Sequence, residues 1–144
     1  MKSRAFRYLT FCVALLALCS YAFAQTAPAD EPPASVAGKW IIYAKGPTGM
    51  TGTKSIELKQ DGNTLSGHFK GPYQSGGLEG TIEKRHIVFH TKTRNVLTFR
   101  GRVEGERVNG VIQATSISGT FHANKGTGTW QAVRAESASS SSPE

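Results

Sequence analysis

The chain has 144 residues, 17 Lys+Arg against 10 Asp+Glu, and a formal net charge of +7. That length holds one domain with a modest core. The charges are interspersed, and no basic stripe with interleaved aromatics appears, which excludes nucleic acid as an expected partner.

The first segment has the layout of an export signal. Lys2, Arg4 and Arg7 form a basic head, Leu9 to Leu18 an apolar run, and Ala22-Phe23-Ala24 a small-residue cleavage site. The apolar run is too short to span a bilayer, so no membrane-spanning segment is expected. Cleavage after Ala24 is expected to leave Gln25 to Glu144 in the periplasm or outside the cell, with 14 bases against 10 acids. Both cysteines, Cys12 and Cys19, fall inside the signal. The mature chain is thus expected to carry no disulfide, although it enters an oxidising compartment. Cys19 is a poor lipid anchor because Leu18, before it, is not small.

Residues 25–35, with Pro28, Pro32 and Pro33, read as a flexible leader; the Ser-rich residues 136–144 read as a disordered tail. Between them, over 36–135, short runs alternate with breakers. The period-2 pattern predicts strands over 38–45, 53–60, 64–70, 78–83, 86–92, 96–104, 107–114 and 127–134. One face carries Trp40, Ile42 and Ala44, then Ile56 and Leu58, Leu65 and Phe69, and so on to Trp130 and Ala132. The other face is mainly charged and polar. Half-buried strands of this kind suit an antiparallel sheet wrapped on itself, so the expected class is all-β, a single up-and-down eight-stranded barrel.

A repeat supports a meander. Leu78-Glu79-Gly80-Thr81-Ile82-Glu83 matches Phe99-Arg100-Gly101-Arg102-Val103-Glu104 at an offset of 21 residues, about one hairpin. Tight connections are expected at 61–63, 84–85 and 105–106, and longer loops at 46–52, 71–77, 91–95 and 115–126. Alternate connections of a meander share an end. The barrel should therefore have a closed end with the tight turns and an open end with the long loops. Trp40 and Arg134 both fall at the closed end.

Gly38-x-Trp40 together with Trp130-x-Ala132-x-Arg134 resembles the lipocalin, or more broadly calycin, signature of a small exported bacterial β-barrel, nearer to avidins in size. The resemblance implies that Trp40 plugs the barrel floor and Arg134 lies across its ring, as structure and not as a site. Thr-Asp-Tyr and a C-terminal helix, usual in lipocalins, are missing, and two Trp are too few for an avidin site.

No catalytic constellation is legible. The mature chain has no Cys nucleophile, no Gly-x-Ser-x-Gly elbow and no phosphate-cradling glycine loop, so no enzyme activity, cofactor or metal is expected. His68, His86 and His90 read as surface residues. Mid-strand glycines Gly67, Gly80, Gly101 and Gly110 offer two readings: a waist that leaves a ligand cavity, or tight coiling around a core filled by Phe69, Phe89, Phe99 and Trp130. Open-end loops contribute Pro47, Met50, Tyr73, Arg94, Ile117 and Phe121. The first functional reading is a barrel binding a small apolar or weakly anionic molecule, with Gly80, Gly101, Phe69, Phe89, Phe99, Tyr73 and Arg94 as the candidate ligand residues. The alternative is an envelope accessory module with a filled core and a protein partner.

Overall fold

A computed structural model describes residues 31–139. Eight strands run in chain order: β1 (Gly38–Lys45), β2 (Thr51–Asp61), β3 (Thr64–Lys70), β4 (Ser75–Glu83), β5 (His86–Lys92), β6 (Thr98–Val108), β7 (Val111–Ala123) and β8 (Gly126–Arg134). Each pairs antiparallel with its neighbours, and β1 pairs with β8 to close the barrel. This is the all-β, up-and-down architecture that the alternation predicts, and it is compatible with a calycin-like fold. The export signal lies outside the described residues.

Closure removes every free sheet edge. The expected inward residues are buried, among them Trp40, Ile42, Ile56, Leu58, Leu65, Phe69, Leu78, Ile82, Ile87, Phe89, Phe99, Val103, Trp130 and Ala132. The outward positions between them are mainly polar, with Ile41, Tyr43, Val88 and Val133 among the apolar exceptions. That is the reverse of a membrane-spanning barrel, whose outer band is apolar. No helix among the described residues is long and apolar enough to cross a membrane.

The last hairpins differ from expectation. The β6–β7 turn is Asn109-Gly110, not 105–106: both residues take positive φ, 50° and 82°, as a type I′ hairpin turn requires. Gly110 is therefore a turn residue, and Val108 is exposed. At 115–126 there is no long loop. β7 runs to Ala123, and only Asn124 and Lys125 link it to β8. The register shifts at Glu104/Gly105, where Glu104 pairs with Ser116 and Gly105 with Ala114. Thr115 is the extra residue of a bulge, which reverses the in–out parity and disguises the strand. Ile117 and Phe121 are thus core residues, not rim residues.

Both ends of the domain extend further than the sequence suggests. Ala34 and Val36 are buried, and Ser35 bridges to Gln113 in a parallel sense. Residues 34–35 are part of the barrel, not of a flexible leader. After β8 the chain forms a short helix, α1 (Ala135–Ser139), where the sequence suggests an unstructured tail.

Candidate functional site: the open mouth of the barrel

The closed end is sealed by paired polar groups. Trp40 Nε1 donates to the Val36 carbonyl at 2.9 Å, Val36 N–H donates to Gln60 Oε1 at 2.9 Å, and Gln60 Nε2 donates back to the Ala34 carbonyl at 2.9 Å. The Arg134 guanidinium carbon lies 4.3 Å from the Trp40 ring centroid. Its Nε donates to the Ala114 carbonyl at 3.0 Å, and its terminal nitrogens donate to Ala37 and Ser35. Burial draws the Arg134 pKa below the ordinary arginine value, and nearby Glu136 offsets part of this. Gly38 fits the same floor: its φ is +125°, and a Cβ there would stand 2.6 Å from an Arg134 terminal nitrogen. These residues form a plug.

The middle of the barrel is filled. Phe99 is the hub of an aromatic cluster, stacked on Phe89 at 4.8 Å and Phe121 at 5.6 Å, with Trp130 edge-on at 5.3 Å. Trp130 Nε1 donates to the Arg100 and Thr120 carbonyls, so its polar atom is satisfied. Gly80 and Gly101 border no void. A Cβ on Gly80 would stand 2.6 Å from the Phe89 Cα, and one on Gly101 would stand 2.8 Å from the Trp130 ring. Coiling around a packed core, and not a hollow waist, accounts for both.

Above that layer the barrel opens. A cavity of about 600 Å³ sits at the open end, with Phe69, Leu97, Phe121 and Ala123 on its apolar floor and wall and Met50 and Tyr73 at its lip. Lys54 also lines it. Lys54 lies opposite the buried Ile42 in the β1–β2 register and shares parity with Ile56 and Leu58, so its side chain faces inward. Gly52 makes room: its absent Cβ would be 3.5 Å from the Lys54 ammonium nitrogen. Partial burial lowers the Lys54 pKa. Among the described residues, no carboxylate pairs with this ammonium.

The loops around the mouth are tied together. Gln74 Nε2 donates to the Asn95 carbonyl at 2.8 Å, and Asn95 N–H donates back to Gln74 Oε1 at 3.2 Å. The buried Thr91 accepts from Leu97 N–H through Oγ1 at 3.0 Å, which fixes Leu97 over the opening.

Of the candidate ligand residues, the structure brings Phe69 and Tyr73 to the mouth. Phe89, Phe99, Gly80 and Gly101 lie in or against the packed middle, and Arg94 is exposed on the β5–β6 connection without lining the cavity. Lys54, Leu97 and Phe121 are the additions. Lys54 was findable, two and four residues before inward Ile56 and Leu58. Phe121 was hidden by the Thr115 bulge. His68 and His86 are exposed on the outer face, and His90 contacts Glu79 at 3.2 Å. No group of His, Cys, Asp or Glu among the described residues is placed to hold a metal ion.

A second depression, about 870 Å³, crosses the outer face of β1, β2, β7 and β8, bordered by Tyr43, Thr51, Thr53, Ser118, Thr129 and Gln131. It is open, and its lining mixes hydroxyl and amide side chains with apolar surface and Lys45. The mouth is the better candidate because it joins an apolar floor to an inward cation.

Compared with known proteins, the chain matches no protein-family model and no curated protein sequence.

Proposed function

We propose that this protein is an exported, lipocalin-like binding barrel that holds a small amphipathic anion in its open mouth. The apolar part of the ligand rests on Phe69, Leu97 and Phe121, and its anionic group meets the Lys54 ammonium. The observation that carries this reading is Lys54 itself. A cation turned into a barrel, with no counter-ion among the described residues, costs stability, and an anionic ligand supplies the missing partner. The filled middle makes the site a shallow cup, suited to part of a ligand and not to one engulfed whole. Transport or sequestration, without chemistry, is the activity proposed. Export rests on the Ala22-Phe23-Ala24 pattern; intact mass of the secreted protein is expected to place the new N-terminus at Gln25, and a lipid on Cys19 would contradict it.

Titration with a fluorescent medium-chain carboxylate tests the ligand reading. Lys54→Met keeps the length and removes the charge, and is expected to weaken binding about tenfold or more, the worth of one charge-assisted hydrogen bond. An uncharged alcohol of equal chain length should bind both proteins alike. Wild-type binding unaffected by Lys54→Met would remove Lys54 from the site.

The pH dependence has a definite sign. Because burial lowers the folded-state pKa of Lys54, the unfolded chain holds that proton more tightly. Stability of the empty barrel should therefore rise with pH between the lowered value and the ordinary lysine value. Carboxylate affinity should fall over the same rise, as the ammonium loses its proton. Lys54→Met should flatten both profiles.

A further inference from the structure

The open end carries an unusual distribution of charge. Its four connections are residues 46–50, 71–74, 93–97 and 124–125. Neither these connections nor the three strand residues adjoining each side of them contain an acid. They do contain Lys45, Lys70, Lys92, Arg94, Arg100 and Lys125, all exposed. Lys92 alone is neutralised, by Glu79 at 2.6 Å, and that contact holds the Glu79 carboxyl below its usual range. Toward the closed end acids and cations are mixed, with Glu57, Asp61, Glu83 and Glu106 in the same half as Lys39, Lys59 and Lys84. Arg85 and Arg102 share Glu104, and Arg107 binds Glu31 at 2.6 Å. The barrel thus mixes acids with its cations at one end and, among the described residues, carries cations without neighbouring acids at the other.

Large apolar side chains mark the same rim. Tyr73 is 94 % exposed, Met50 73 % and Val96 48 %. Each comes from a different connection, and Met50 and Tyr73 border the cavity itself. The Gln74–Asn95 hydrogen bonds and an Asn124–Asn95 contact at 3.5 Å hold three of the connections in one frame.

We propose that the open rim docks on an anionic membrane surface, with Met50, Tyr73 and Val96 entering the headgroup layer and the unpaired cations facing lipid phosphates. Exposed apolar tips set among Lys and Arg match the interfacial layer of a bilayer, where an aromatic ring and its hydroxyl are both accommodated. The centre of a protein–protein contact is instead depleted of charge, which this cation-rich rim is not. Each unpaired cation near such a surface strengthens binding about fivefold, and the attraction fades within a Debye length. The orientation points the Lys54 cup at the lipid, but docking needs no ligand, so it stands or falls apart from the binding proposal.

Sedimentation of the ligand-free protein with vesicles tests this. Vesicles of phosphatidylglycerol and phosphatidylcholine are compared with pure phosphatidylcholine, in about 0.1 M and about 1 M salt, where the Debye length falls from about 10 to 3 Å. Binding is expected only to the anionic vesicles and only at the lower salt. Lys45→Glu with Lys70→Glu should weaken it more than tenfold, and Tyr73→Ser should weaken it severalfold. Lys39→Glu with Lys59→Glu makes the same change in net charge at the closed half and should change binding far less. Equal loss from both double variants would overturn the proposal, because net charge and not the rim would be responsible. So would equal binding to neutral vesicles, or none to either. Stoichiometric capture of one acidic protein that shields Tyr73, with no vesicle binding, would replace the membrane with a protein partner.

Discussion

Trp40→Ala is expected to cost about 3–5 kcal/mol in denaturant unfolding, the range for deleting a fully buried large aromatic. The cost has several parts. The indole is buried at the closed end, its Nε1 holds the Val36 carbonyl, and its face carries Arg134. Trp40→Phe keeps a ring for the guanidinium and loses the hydrogen bond, so it should cost less. Arg134→Ala removes the donors to the Ala114, Ala37 and Ser35 carbonyls as well as the cation over the ring. Losing hydrogen bonds from a charged group costs about 1.5–3 kcal/mol, and the stacked cation adds about 1–2 kcal/mol where it is desolvated. The two residues touch, so the double variant should lose less than the sum of the singles, by about 1–2 kcal/mol. Strict additivity would mean that the plug does not act as a unit.

That plug was the most legible part of the sequence. Two motifs at opposite ends of the domain, together with the polarity of a meander, place Trp40 and Arg134 at one end. The structure adds Gln60 and the chain from Ala34 to Ala37, of which Ala34 and Ser35 look like linker by their Pro/Ala-rich surroundings. Small apolar residues carry little hydrophobic signal, yet Ala34 and Val36 are buried because the barrel floor needs a lid. The β6–β7 hairpin is hard to place from the sequence for another reason. Gly105 with Glu106 resembles a turn, but Asn109-Gly110 is the stronger hairpin pair, and the Thr115 bulge breaks the alternation that would have extended β7.

The candidate site was less legible than the fold. Alternation identifies which residues face inward, and Lys54 was on that face all along. It does not say how far up the barrel the packing stops. That depends on Phe99 gathering Phe89, Phe121 and Trp130 into one layer, a fact of register across several strands. Only above that layer, or at its upper surface as for Phe121, does an inward side chain become a ligand contact. Phe69 and Tyr73 fell above it, and Phe89 and Phe99 fell within it.

Gly80→Ala is expected to prevent folding or to cost more than about 4 kcal/mol, the range reserved for changes that the structure cannot absorb. The added methyl would overlap the Val88 carbonyl oxygen and stand 2.6 Å from the Phe89 Cα, both backbone atoms of the paired strand β5. Backbone in a closed barrel cannot yield at one point without shifting the register of its neighbours. Gly101 occupies the matching place in the repeated hairpin but meets different neighbours. Its Cβ would stand 2.8 Å from the Trp130 ring and 3.2 Å from the Ile117 side chain, besides the Ser118 carbonyl oxygen at 2.8 Å. Side chains give more readily than backbone, so Gly101→Ala should cost about 1–3 kcal/mol, as overpacking does. Gly101→Leu has no space to enter and should match the loss of Gly80→Ala. Unfolding measurements on the three variants separate a packed interior from a hollow one. Wild-type stability in Gly101→Leu would mean that the middle of the barrel holds free space, and the ligand site would then extend below the Lys54 cup.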